Sequence, residues 1–173
     1  MAKNKITSRD IVTVGLMVAI IEVCKFVFMG LPNIELTSFW IIIFALYFGK
    51  SVYFAIPVFI IVEGAVFGIH LWWIIYLYIW PLLAILASMF KKIKSAVFWS
   101  VFSGIFGLLF GALCSLVYVF MGDTLSAGLK SAFAWWIAGI PYDLIHGAGN
   151  FVIMLILYKP ITNIVERYVI KQG

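Results

Sequence analysis

Six apolar runs, divided by polar breaks only a few residues long, leave this chain little choice but a bundle of helices in lipid. A helix needs roughly 17–25 apolar residues to cross about 30 Å of hydrocarbon, because each residue advances it about 1.5 Å. The runs predict spans near Ile11–Met29, Leu36–Phe48, Ser51–Phe67, Leu71–Phe90, Ala96–Met121 and Phe133–Tyr158. The second is short for a full crossing. A break at Pro160 then sets off an amphipathic tail from Ile161 to Gly173. Of the 173 residues, 65% are hydrophobic and 11% charged. A soluble domain averages about 45–50% apolar and about 25% charged. The expectation is one domain over residues 1–173: an all-α polytopic membrane protein, a compact bundle of six transmembrane helices.

The basic residues orient it. Lys3, Lys5, Arg9, Lys50, Lys91, Lys92, Lys94, Lys159, Arg167 and Lys171 fall at the termini and in the breaks after the second and fourth spans. The opposite breaks hold only Lys130, and Lys25 lies inside a span. Cytoplasmic loops carry such an excess of Lys and Arg. Both termini are therefore expected in the cytoplasm, with the chain in the cell (inner or plasma) membrane. This placement accounts for the net charge of +5 without nucleic acid as a partner. Glu22 and Lys25 interrupt the first apolar run, so it reads as a retained span rather than a cleaved signal. The nearest text to a phosphate-cradling loop, Phe48-Gly49-Lys50-Ser51, lacks the first Gly of G-x-x-x-x-G-K-[ST] and reads as a tight turn. Energised work by this chain has to draw on an ion gradient or a partner.

Ionisable groups inside spans are costly and mark function or pairing. Glu22 and Lys25 are one turn apart and can pair or face one cavity. Glu63 lies near the outer end of the third span. Asp143, His146 and Asn150 recur on one face of the sixth, which Gly139 and Gly147 share. They read either as an interhelical hydrogen-bond network or as a ligand-facing set. In the fifth span Ser100, Gly104, Gly107, Gly111 and Ser115 form a narrow stripe of small residues, the pattern that lets helix backbones approach. That stripe serves an internal contact or a sliding surface. Three intraspan prolines, Pro57, Pro81 and Pro141, read as packing kinks.

Trp72, Trp73, Tyr76 and Trp80 share an arc of the fourth span, and Trp135 and Trp136 begin the sixth. Interface anchoring explains some of them. Stacking surfaces with a few placed polar groups also make a small-molecule pocket. His70 and His146 belong to different depths, and Cys24 and Cys114 are isolated, so neither a metal site nor a cofactor is expected. No nucleophile elbow is present, and the expectation is a protein that is not an enzyme. Asp143 with His146 as an acid–base pair is the lesser reading.

Six short spans with basic inner loops, together with Leu31-Pro32-Asn33-Ile34-Glu35-Leu36, Leu71-Trp72-Trp73 and Gly139-Ile140-Pro141-Tyr142-Asp143-Leu144-Ile145-His146-Gly147, resemble the substrate-binding S-component of energy-coupling factor (ECF) vitamin transporters. The resemblance covers nearly the whole chain. It implies a protein that captures a water-soluble vitamin from outside and delivers it to a transmembrane coupling subunit driven by two cytoplasmic ATPase subunits. It places the pocket at Asn33, Glu35, Glu63, His70, Trp72, Trp73, Tyr76, Asp143 and His146. The family's coupling contact, Ala-x-x-x-Ala on the first helix, corresponds to Gly15-x-x-x-Ala19, which departs by one residue. The aromatic stripe with both signs of charge suits a pyridoxine-like heterocycle, with cobalamin as another candidate. Alternatives of other classes are an autonomous proton-coupled carrier using Glu22, Glu63 and Asp143, and a purely structural subunit.

Overall fold

A computed structural model describes residues 7–170, with the side chains of 168–170 left undescribed; Lys3, Lys5, Lys171 and the end of the tail lie outside the described residues. The described chain is helical throughout: α1 (Ser8–Phe28), α2 (Thr37–Tyr47), α3 (Ser51–Phe67), α4 (Leu71–Met89), α5 (Ala96–Ser115), a 3₁₀ segment (Leu116–Met121) and α6 (Leu125–Ile170). Four stretches are long and apolar enough to cross a membrane: α1, α4, α5 with its 3₁₀ extension, and α6. Helices α2 and α3 are shorter apolar helices.

Local chemistry sets the starts. Thr7 caps α1 with its hydroxyl on the Asp10 amide, and the Asp10 carboxylate returns the bond to the Thr7 amide at 2.8 Å. This is a reciprocal capping box. Ser95 caps α5 on the Phe98 amide. Gly68 (φ 87°) ends α3 in a conformation that side-chain-bearing residues rarely adopt, which permits the tight turn into α4.

Helix α2 is the hub. It packs against α1, α3, α4 and α6. Phe39, Ile41, Ile42, Ile43, Phe44 and Ala45 are all buried, as a helix that is apolar all round has to be. The outer helices show the opposite pattern. Large apolar side chains face outward along α1 (Val12, Leu16, Val23), α4 (Ile74, Leu77, Ile85) and α6 (Leu144, Val152, Ile156). Apolar exposure on this scale needs an apolar surrounding.

Two boundaries differ from the sequence reading. The break that the sequence leaves between the spans ending at Met121 and beginning at Phe133 is only Gly122–Thr124, since α6 already begins at Leu125. Its first turns pack on the 3₁₀ segment, with Gly128 in close contact with Val119. Helix α6 also runs through Pro160 without ending, so the tail from Ile161 is its continuation. A proline removes one helical hydrogen bond, and neighbours can hold the helix together across it. Near this point Tyr158 and Thr162 are buried. Beyond it, Glu166 accepts from Tyr47 and Lys94, each at 3.1 Å, tying the end of α6 to α2 and to the α4–α5 turn.

The small-residue stripe of α5 is an internal seam. Gly104, Gly107 and Gly111 are buried against α6. A Cβ at Gly107 meets the Gly147 Cα at 2.8 Å and the His146 carbonyl at 2.9 Å, both backbone atoms that cannot move aside. Nothing lies within 4 Å of a Cβ at Gly139. Gly107→Ala is therefore expected to lower stability by about 1–3 kcal/mol through overpacking. Gly139→Ala should be neutral or gain up to about 1 kcal/mol from helix propensity. Thermal denaturation of the detergent-purified variants checks this pair; equal effects at both sites count against the seam.

Candidate functional site

A cavity of about 510 Å³ opens at the end of the bundle where α1 and α3 finish and α4 begins. This is the end opposite the Tyr47–Glu166–Lys94 cluster. Its roof is the chain between α1 and α2, and its walls come from α1, α3, α4, α5 and α6. Asn33 at the roof has φ 56°, a left-handed conformation that Asn tolerates better than most residues.

The charged wall is built from α1 and α3. The Lys25 ammonium pairs with the Glu63 carboxylate and lies 3.4 Å from the Tyr76 hydroxyl. It sits 5.1–5.7 Å from the ring centres of Phe59, Phe67 and Tyr76, within cation–π range. The sequence allowed Lys25 to pair with Glu22 one turn below; the ammonium reaches across to α3 instead. Glu22 is buried behind this pair, facing Glu63 and Lys25, and neither of its oxygens receives a hydrogen bond from the described residues.

The second polar wall joins the roof to α6. Glu35 accepts from the Thr37 amide (3.0 Å), the Ser38 amide (3.2 Å) and the Ser38 hydroxyl (2.8 Å), so it closes the N-terminus of α2. An acidic group there also complements the helix dipole. The His146 Nε2 lies 3.4 Å from the same carboxylate. Burial works against the Glu35 charge, but His146, Thr37 and Ser38 outweigh it and hold the carboxyl below its ordinary value. His146 is itself packed on Phe110, their ring centres 4.6 Å apart.

Aromatic rings complete the lining. Tyr76 stacks on Phe59, and Trp80 stands edge-on to both rings. Trp80 is 2% exposed, and its indole N–H has no acceptor among the described residues. The Trp73 indole donates to the Ile60 carbonyl at 2.8 Å and lies over Gly64, so it braces α4 against α3 as well as lining the cavity. Trp72 is half-exposed at the rim and meets Trp135 edge-on.

The structure thus brings Asn33, Glu35, Glu63, His70, Trp72, Trp73, Tyr76 and His146 to one cavity. Asp143 is elsewhere. It is buried at the α5–α6 seam, where it accepts from the Gly111 amide at 2.8 Å. Asn150, lower on the same face, reaches the Ser103 carbonyl at 3.5 Å. These two belong to the interhelical network that their spacing allowed, and only His146 of the three lines the cavity. Lys25 and Trp80, which the sequence offers as cavity-facing and stacking groups, also line it, and Phe67 and Phe110 join them without a sequence signal of their own. Gly15 and Ala19 are exposed on the outer face of α1, with nothing within 4 Å of a Cβ at Gly15. Among the described residues no group of three or more His, Cys, Asp or Glu is arranged to hold a metal ion. No protein-family model, curated protein or solved structure matches the chain.

The Glu35 cluster yields a pH prediction. A carboxyl held below its ordinary value stabilises the fold above the unfolded value, and the contribution disappears as pH falls through the folded one. Wild type should exceed Glu35→Gln by about 1.5–3 kcal/mol at neutral pH, the range for hydrogen bonds to a charged group. The difference should be full above the ordinary carboxyl value of 4.5 and shrink as the pH is lowered below it. Denaturation midpoints of both proteins between neutral and acid pH test this; a pH-independent gap contradicts it.

Proposed function

We propose that this chain is a membrane-embedded substrate-binding subunit, an S-component of the energy-coupling factor type, which captures a water-soluble vitamin from outside. In this reading all six helices lie within the membrane and both termini face the cytoplasm. A transmembrane coupling subunit and two cytoplasmic ATPase subunits then supply the energised step.

The observation that carries the reading is the cavity itself. It measures about 510 Å³, within the range of small-molecule sites, and mixes stacked aromatic rings with a few buried ionisable groups. It opens at the end away from Lys50, Lys91, Lys92 and Lys94, the basic loops that the positive-inside rule assigns to the cytoplasm. The chain carries no phosphate-cradling motif of its own, which fits a capture subunit that relies on a partner for energy. The exposed small residues Gly15 and Ala19 give that partner a smooth helix face to dock on. A pyridoxine-like heterocycle fits the ring-lined walls, and cobalamin at the open rim is the other candidate. An autonomous proton-coupled carrier is the competing mechanism; it draws support from Glu22 facing Glu63, whereas Asp143 stands apart from both at the α5–α6 seam.

Mass spectrometry of small molecules released from the purified protein tests the reading directly. A stoichiometric vitamin is the expected result; a protein that releases none and binds none of a vitamin panel removes the capture role. Trp72→Ala at the rim should weaken ligand binding roughly threefold to tenfold, the worth of one aromatic contact, with little change in melting temperature. Gly15→Leu or Ala19→Leu should block cellular uptake while leaving ligand binding intact. Uptake at wild-type rate in either variant separates α1 from the coupling contact, and uptake by the isolated protein that collapses with a protonophore favours the carrier.

A further inference from the structure

We propose that the ligand of this cavity is an organic cation, a flat ring bearing a protonated amine, and that its ammonium group takes the place that Lys25 holds beside Glu63. The proposal deepens the capture reading and rests on it for the site's role.

The wall formed by α1, α3 and α4 already has the chemistry of ammonium recognition. Three rings, Phe59, Phe67 and Tyr76, surround the Lys25 ammonium, and the Glu63 carboxylate neutralises it. Aromatic cages with a carboxylate are how proteins hold alkylammonium ligands. Lys25 stands in the cage on a flexible stem, so it can leave without unfolding the wall. Glu63 is 6% exposed, lines the cavity, and its Oε1 receives no hydrogen bond from the described residues. That oxygen is buried, so a ligand cation reaches it only by taking the place of Lys25.

The local balance of charge also favours a cation. The charged and titratable groups around the cavity are Glu22 and Lys25 on α1, Glu63 on α3, His70 ahead of α4, Tyr76 on α4, Cys114 on α5, Glu35 ahead of α2, and His146 on α6. Glu35 is already answered by the Thr37 and Ser38 donors and by His146. What remains is two carboxyl groups, Glu22 and Glu63, against one ammonium. A buried carboxyl with another carboxyl beside it and no cation of its own is costly to ionise. Glu22 is 9% exposed, and neither of its oxygens has a donor. Lys25 lies three residues further along the same helix, on the same face. When the ligand ammonium occupies the cage, Lys25 turns to Glu22, and each carboxylate then has its own cation. Deeper in, Trp80 lines the cavity, and its buried indole N–H has no acceptor among the described residues. An anionic ligand meets the reverse situation, since Lys25 is already paired and both neighbouring carboxyls repel it.

The test uses three probes of one shape and different charge, benzylammonium, benzyl alcohol and benzoate. Their binding to the full chain in lipid nanodiscs is measured by titration calorimetry against protein-free discs. Benzylammonium should bind at least tenfold tighter than benzyl alcohol, with benzoate weakest. Lys25→Met vacates the cage and should tighten benzylammonium at least tenfold; Glu63→Gln should abolish the preference for the cation. Glu22→Gln removes the group that receives Lys25 and should weaken benzylammonium several-fold while sparing benzyl alcohol. Benzyl alcohol or benzoate binding as tightly as benzylammonium overturns the proposal, as does absence of binding by all three, or unchanged benzylammonium affinity in Lys25→Met. The two readings fail separately. A native ligand without a basic nitrogen, released from the purified protein, overturns the cation site and leaves capture standing. Benzylammonium selectivity in a protein that retains and binds no vitamin upholds the cation site and removes capture.

Discussion

A charge inside an apolar bundle has to find its counter-charge within the bundle, and here that requirement is met by Lys25 and Glu63. The pair ties the last turns of α1 to those of α3, and the Tyr76 hydroxyl brings in α4. Lys25 points inward for this reason, although much of the outward face of α1 around it is apolar, with Val23, Phe26 and Val27 exposed. With the ammonium fixed, Phe59, Phe67 and Tyr76 gather around it, and Trp80 packs edge-on behind Tyr76 and Phe59. One ion pair thus sets the charge of this wall of the cavity, while Phe59, Tyr76 and Trp80 also hold one another by ring packing.

The opposite wall depends on a different economy of space. Three glycines on α5 let α6 approach so closely that backbone meets backbone at Gly147. Close backbone packing and hydrogen bonds are what such small-residue seams contribute to helix association. Asp143 adds the hydrogen bond by accepting from the Gly111 amide. The same seam fixes the rotation of α6, and this rotation turns His146 towards the cavity and Glu35 while Asp143, three residues earlier, stays in the seam. The position of His146 is a consequence of glycines that never touch a ligand.

Most helix boundaries were legible because hydropathy and turn residues agree. Gly68 ends α3 and the basic triplet Lys91, Lys92, Lys94 separates α4 from α5, as the sequence indicates. The misread parts are those where tertiary contact overrides a local signal. Gly128 and the polar residues around it look like loop, yet the glycine admits Val119 and α6 begins early. Pro160 looks like a stop, but contacts at Tyr47 and Lys94 hold the helix beyond it. Within the site, residue type and depth pointed to aromatic and ionisable groups. Sequence spacing could not separate Asp143 from His146, because residues three apart share a helix face while a cavity and a seam can divide that face between them.

Why a cavity exists at this end follows from the length of α2. With 11 residues, at about 1.5 Å each, it is only about 16 Å long, roughly half of a hydrocarbon core. It occupies the centre of the bundle and starts at Thr37, so the space beyond its N-terminus has no central helix to fill it. The chain from Met29 to Leu36 crosses that space as an irregular segment, and its residues line the roof of the cavity. The free amides of the buried α2 N-terminus then need an acceptor, which Glu35 provides, and its carboxylate in turn faces His146. A short central helix therefore dictates a cavity, a roof over it and an acid where that roof meets the helix, so the polar site follows from where one helix begins.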